Sequence, residues 1–200
     1  MEFEAIDIKR GVDVPVKANA QGNMLIAPSG GKYVDAALSG RLFYAANINM
    51  VTTSTTLHTT YVGLALGNPT GSGKLVIVHE FGYAFATAAA AGLILALAEG
   101  AIGTDMADDV NAPIKCTRNG YGDSVCYTDE GCTRVAPQIV KIITQHTTAA
   151  TTTLTNDMQV VDLQGSIIIP PGRAVFVDTT TAAGASGAQF SFMWEEIDEV

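Results

Sequence analysis

The sequence predicts an all-β protein, an antiparallel β-sandwich. Three observations predict it. From Lys74 to Ala86, large side chains (Leu75, Ile77, His79, Phe81, Tyr83, Phe85) alternate with smaller ones (Val76, Val78, Glu80, Gly82, Ala84, Ala86). Period-two alternation marks a strand with one face in a core. About eight to ten such runs follow one another, separated by Gly- and Pro-rich turns. No helical periodicity alternates with them, which argues against an α/β sheet. A jelly roll is the preferred architecture, because eight strands in two sheets fit the count. An immunoglobulin-like sandwich comes second: 200 residues is long for one, and its Cys–Trp–Cys spacing is missing.

The elements follow in order. Residues 1–40 form an N-terminal arm or short strands with loops, because Pro15, Pro28, Gly22, Gly30 and Gly31 interrupt any long element. The arm either joins the sheet or reaches a neighbouring subunit. Residues 41–200 form the sandwich domain. Arg41 to Met50 is a strand, followed by a Thr-rich stretch to Thr60 that suits an exposed edge. Tyr61 to Leu66 is the next strand, and Gly67 to Gly73 a turn loaded with turn formers. The long central strand follows. Leu93, Leu95 and Leu97 mark its partner, joined to it near Thr87 to Ala91. Residues 103–134 form a loop insertion rich in Asp, Gly and Asn, and long loops in compact domains are usually functional. Ile139 to Gln145 is a strand, and His146 to Thr155 a loop or edge strand. Ser166 to Ile169 and Ala174 to Thr179 are strands divided by Pro170-Pro-Gly172. After a small-residue loop at 180–187, Ala188 to Ile197 closes the fold, with Phe190, Phe192 and Trp194 on one face. No convincing repeat of 20–50 residues is present.

Composition narrows the function. Hydrophobic residues make up 48% and charged residues 16%, so a sizeable core is available. A surface so poor in charge is either covered by other chains or built from Ala, Thr and Gly. The net charge of −9, with eleven scattered basic residues, argues against nucleic acid as a partner. The acidic N-terminus lacks the apolar segment of a signal peptide, so synthesis in a cytoplasm without Sec export is expected. Phe81 to Ala98 is uncharged over the nominal length of a membrane span. Its Ala and Gly content and the absence of flanking Lys or Arg argue against membrane insertion, and its alternation argues against a soluble helix.

Several motifs tempt a chemical reading. Gly71-Ser-Gly-Lys74 suggests a phosphate-binding loop, but Asn68 stands where the first Gly belongs and Leu75 where the hydroxyl belongs. A hairpin turn is the better reading. Cys116, Cys126 and Cys132 match no common zinc spacing. Free thiols are expected, with a Cys126–Cys132 disulfide as the alternative. His79 reads as a hydrogen-bonded core or interface histidine, and Glu80 faces away from it. His58 and His146 sit in Thr-rich segments and belong to no recognisable catalytic motif. Asp105, Asp108 and Asp109, and Asp123, Asp129 and Glu130, lack EF-hand spacing and read as solvated loop carboxylates. Glu195, Glu196, Asp198 and Glu199 read as a solvated acidic end. The residues point to no catalytic, metal or cofactor site.

Three stretches together carry a resemblance: Gly40-Arg-Leu-Phe-Tyr-Ala-Ala-Asn47, Gly63-Leu-Ala-Leu-Gly-Asn-Pro-Thr-Gly-Ser-Gly-Lys74 and Phe190-Ser-Phe-Met-Trp-Glu-Glu-Ile197. Over residues 35–200 the chain resembles small structural proteins of tailed-bacteriophage virions, of the decoration, cement or fibre kind. The resemblance implies a β-sandwich, often jelly-roll-like, without catalytic residues, sitting on a capsid or tail and commonly trimeric. The insertion at 103–134 is not part of that pattern. The expected partners are therefore copies of the chain itself and the phage major capsid protein or another virion protein. The leading expectation is a head decoration protein. Two others are a receptor- or glycan-binding module, with Tyr121 and Tyr127 of the insertion as stacking platforms, and an enzyme built on a β-sandwich.

Overall fold

The computed structural model describes residues 3–7, 12–18, 24–25, 31–53, 63–85, 92–146, 159–180 and 187–199; before residue 26, and at His146, it describes the backbone alone. The Thr-rich stretches around 54–60 and 147–155, the expected join at 87–91, His58 and most of the 180–187 loop lie outside the described residues.

Residues 1–35 and 36–200 form two compact units. In the first, β1 (Phe3–Asp7), β2 (Val12–Ala18) and β3 (Met24–Leu25) make an antiparallel meander, with Phe3 opposite Val16 and Lys17 opposite Leu25. The segment expected as an arm carries this small sheet.

The second unit is an all-β antiparallel sandwich of two five-stranded sheets. A short helix, α1 (Val34–Leu38), leads into it and ends at Gly40, whose φ of +70° suits a residue without a Cβ. The strands are β4 (Leu42–Ala46), β5 (Ala65–Asn68), β6 (Lys74–Phe85), β7 (Leu93–Ala101), β8 (Lys115–Cys116), β9 (Tyr127–Asp129), β10 (Val135–His146), β11 (Gln159–Ile169), β12 (Arg173–Thr179) and β13 (Ala188–Asp198). One sheet has the order β10-β7-β12-β5-β9, the other β11-β6-β13-β4-β8. Setting aside the short β8 and β9, β4 pairs with β13, β5 with β12, β6 with β11 and β7 with β10. First pairs with last, and so on inward: this nesting is the connectivity of a jelly roll.

That connectivity corrects two local expectations. β5 and β6 flank the Gly67–Gly73 region but lie in different sheets, so the turn is an arch between sheets and not a hairpin. Gly71 and Gly73, at φ +79° and +65°, supply its left-handed positions. β6 and β7 are likewise in opposite sheets. Local pattern cannot reveal this, because every strand of the sandwich finds its partner far away in sequence.

The core lies between the sheets. On β13, alternate residues Ala188, Phe190, Phe192 and Trp194 are buried. The Phe81 ring packs against Phe192 (centroids 5.3 Å apart), Phe190 and Tyr83 (both 6.1 Å). Truncating such a ring to Ala typically costs about 3–5 kcal/mol. On β6 the buried set changes face: Val76 and Val78 first, then Phe81 and Tyr83. The cause is a bulge. Met193 faces Glu80 and Trp194 faces Val78, which leaves His79 as the extra residue. On the other side of β6, Asp162 faces Glu80 and Ile167 faces Val78, so residues 163–166 of β11 bow out, with Gln164 at φ +52° and Gly165 at φ +71°. This interruption explains why the sequence pattern marks only Ser166–Ile169 of an eleven-residue strand. Similarly, β4 ends at Ala46 and not at Met50, because the Ile48 amide donates to Asn111 of the insertion. β5 is shifted towards Asn68 relative to the expected Tyr61–Leu66, residues 61 and 62 lying outside the described set.

The insertion shapes the sandwich. Its β8 adds to β4 and its β9 adds to β5, so one excursion supplies the fifth strand of both sheets on the same side. It also covers the β5–β12–β7 surface on which Gly67, Gly100, Ala174 and Phe176 lie. The Arg134 guanidinium sits 5.6 Å from the Phe176 ring centroid, and Met106 occupies the space a Gly67 side chain would need. The opposite side of the sandwich, edged by β10 and β11, receives no added strand among the described residues.

Candidate functional site

The residues that tempted a chemical reading are placed as structural parts. Lys74 pairs with Asp198 at 2.6 Å, tying the start of β6 to the end of β13. Beside it, Ser72 Oγ lies 3.3 Å from the Lys74 amide and joins the turn's own hydrogen bonds. His79 is not on the inner apolar face. The bulge puts it with Glu195, Nε2 lying 3.3 Å from Oε2, while Arg41 Nη1 holds Oε1 of the same carboxylate at 2.5 Å. Among the described residues no group of three His, Cys, Asp or Glu side chains is placed to hold a metal ion. No described helix is long and apolar enough to cross a membrane.

All three cysteines are free thiols. Cys116 is half-buried, whereas Cys126 and Cys132 are buried. Burial pushes the Cys132 thiol up to about 12, with the Asp129 and Asp105 charges adding to it. Burial, then the Glu196 charge, drives the Cys126 thiol higher still. Neither is a nucleophile at neutral pH.

The acidic clusters are not simply solvated. Asp105 accepts from the Thr133 amide at 2.9 Å and the Thr133 hydroxyl at 2.6 Å, clasping the two ends of the insertion. The hydroxyl bond, then the amide, holds its carboxyl below the usual range. Asp109 accepts from the Asn111 amide, and Asp129 from the Gly131 and Ala107 amides. Asn47 donates to Glu130, whose carboxyl burial nonetheless pushes up. Glu195 and Glu196 lie within β13 and are not solvated, whereas Asp198 at its end and Glu199 beyond it are exposed, as expected. Glu196 is buried at 4% exposure and organises the insertion. Its Oε1 accepts from Trp194 Nε1 (3.1 Å) and Ser124 Oγ (2.5 Å), and its Oε2 from the Val125 amide (3.2 Å). Nothing local in the sequence announces this role; the one available signal is that Glu196 continues the Phe190-Phe192-Trp194 alternation.

Two surface features remain. The first is a cavity of about 460 Å³ between the insertion and β4, lined by Phe43, Ile114, Cys116, Asp108, Asp109 and Asp123 among others. Tyr121 and Tyr127 are not in its wall. Tyr121 instead stacks under the Arg118 guanidinium, 3.9 Å from its ring centroid, and Tyr127 packs against the core. Tyr121 thus has a ring face against Arg118 and stays half exposed, while Tyr127 is partly buried. The second feature is the open side of the sandwich. Of the twelve large apolar residues that are exposed among the described residues, six lie on β10 and β11: Val135, Ile139, Val140, Ile142, Val160 and Ile168. Edge strands with unpaired backbone groups and apolar side chains are templates for another chain, and proteins usually blunt them with charge. Here β10 carries Lys141 and β11 carries Asp162, and no other Lys, Arg, Asp or Glu.

Comparisons of the chain with protein-family models, with curated proteins and with solved structures found no match.

Proposed function

We propose that this chain is a non-enzymatic virion structural protein, a decoration or cement protein that binds the head of a tailed bacteriophage and stabilises it. The observation that carries the reading is the apolar, nearly uncharged side of the sandwich at β10 and β11 on a protein of net charge −9. Such a surface is suited to burial against other chains. The jelly roll supplies a rigid body for it, and Lys74, His79, Asp105, Asp109, Asp129 and Glu196 are engaged in holding loops and strands together. The stabilising mechanism is mass action. A subunit that binds the assembled shell and not its dissociated parts lowers the shell's free energy, by about 2.7 kcal/mol per site at a hundredfold excess over Kd. Residues 1–35, a compact unit of their own, serve as the anchor.

The test is co-sedimentation with capsids of the phage that encodes the chain. The full chain is expected to bind saturably and raise the capsid's melting temperature. A form lacking residues 1–35 is expected to keep its fold and lose binding. Normal decoration by the truncated form would remove the anchor role, and no binding by the full chain would remove the head assignment.

The cavity beside β4 favours a second reading, a receptor- or glycan-binding module. Saturable hits on a glycan array, abolished by Asp123→Asn, would establish it in place of the first.

A further inference from the structure

We infer that copies of this chain join head to tail, the β10 ridge of one subunit seating in a groove across the β11-β6-β13-β4 sheet of the next. Among the described residues the ridge is the unpaired edge of its sheet. Val135, Ile139, Val140 and Ile142 are 48%, 49%, 45% and 66% exposed there. Three register shifts against β7 make the strand irregular. They push successive side chains outward and do not leave a flat, pairable edge. Ridge side chains therefore need a cavity to enter more than a strand to pair with.

Such a cavity lies on the other sheet. A groove of about 260 Å³ crosses it, lined by Ala46, Gly82, Ala84, Gln159, Val160 and Ser191 among others. Small residues on three successive strands, Gly82 and Ala84 of β6, Ser191 of β13 and Ala46 of β4, make the trough, with Gln159 and Val160 of β11 at its end, and at Gly82 a Cβ would collide with the Ser191 hydroxyl. The volume equals that of about nine waters at ~30 Å³ each, room for about two branched aliphatic side chains once they leave. The fit is one of large against small.

Charge selects the occupant. No residue lining the groove is charged. On the ridge, Lys141 is the single fixed charge of β10, and its Nζ reaches Ser166 Oγ at 3.5 Å. Two copies of a chain with net charge −9 repel over most of their surfaces, so neutral patches are where they can meet. A basic partner would instead be drawn to the acidic insertion. The occupant is thus a second copy. Ridge and groove are different patches, so the contact is heterologous and repeats from copy to copy. The groove starts at β11, beside the open side that carries the ridge, and runs across to Ala46 of β4. The inferred assembly is a small closed ring and not a filament. This deepens the proposed structural role and rests on it for self-association alone, not for the particle coated.

The experiment is light scattering after size exclusion on the full chain, Ile142→Asp and Ala84→Glu. The full chain is expected at a small multiple of 20.8 kDa. Each variant breaks every ridge–groove contact and is expected to be a folded monomer, by circular dichroism and melting. Mixed in equal amounts, they retain one intact ridge and one intact groove between them, so they are expected to form a dimer and nothing larger. Ile139→Asp and Ser191→Glu replace either variant should it fail to fold. The inference is overturned by a monomeric full chain, by variants that both keep the oligomer, or by Ala84→Glu keeping it while Ile142→Asp loses it. That last result would mean a ridge-to-ridge contact. A full chain that forms rings yet binds no capsid would remove the head assignment and leave this inference standing; a monomer that binds capsids would do the reverse.

Discussion

Replacing Glu196 with Gln should loosen the insertion from the sandwich. The carboxylate is buried and accepts three hydrogen bonds, from Trp194, Ser124 and the Val125 amide. A Gln side chain keeps one oxygen. Oriented towards Trp194 and Ser124, it turns its NH₂ on the Val125 N–H, donor against donor. Bonds to a charged acceptor contribute about 1.5–3 kcal/mol each, and an orphaned buried amide costs about 1–3 kcal/mol. Part of this is offset because a neutral amide is easier to bury than a charge. The net expectation is a loss of about 2–3 kcal/mol, which for a unit of this size lowers Tm by roughly 5–10 °C. The assay is urea denaturation followed by fluorescence. Trp194 is the single tryptophan of the chain and touches the substituted group, so it reports at the site itself. Stability of E196Q within about 0.5 kcal/mol of the parent, the range of ordinary surface substitutions, would refute the reasoning. So would strict additivity with Ser124→Ala, since partners in one network should couple.

Three further outcomes are expected. Arg134→Met leaves the Asp178 carboxylate buried opposite an apolar side chain, and should destabilise by about 3–5 kcal/mol in the same denaturation assay, with Arg134→Met/Asp178→Leu recovering part of it. An undiminished midpoint in the single variant would deny the pair any role. Asp105→Asn should lower Tm at neutral pH and progressively less in acid. The folded-state carboxyl titrates below its unfolded value, so its contribution is full above the unfolded pKa and is lost as pH falls through the folded one. A Tm difference that persists unchanged at pH 2–3 would contradict this. A thiol reagent should modify Cys116 first in the native protein and reach Cys126 and Cys132 only after denaturation, so one fast thiol per chain is expected; two or three would show that the insertion opens readily.

The sandwich class is legible in the sequence because it rests on local alternation. Phe190, Phe192 and Trp194 do share the inner face, and Leu93, Leu95 and Leu97 are fully buried. What escapes is whatever depends on pairing. The face of β6 reverses at His79 because two remote strands, β11 and β13, set the register on either side, and no feature of Lys74–Ala86 encodes where the extra residue falls. The sheet-crossing arches escape for the same reason. The acidic residues of β13 look like a solvated end until Arg41, Ser124 and Val125 are seen to converge on Glu195 and Glu196 from elsewhere in the chain. The apolar open side is half legible: low charge announces that some surface is to be covered, but only the strand order places β10 and β11 together at one side.

The nested pairing also governs how the protein comes into being. β4 is the first strand of the sandwich to leave the ribosome, and its main partner, β13, is the last. Contacts so distant in sequence place the chain among high-contact-order proteins, which fold in milliseconds to seconds. At about 5–20 residues per second, the roughly 140 residues separating the two strands take on the order of ten seconds to synthesise. During that interval β4, β5 and β6 stand without the strands that complete their ladders. The sandwich can therefore close only after synthesis of β13, as one concerted event, and a chain interrupted before Ala188 would leave β4 and β6 without their shared neighbour.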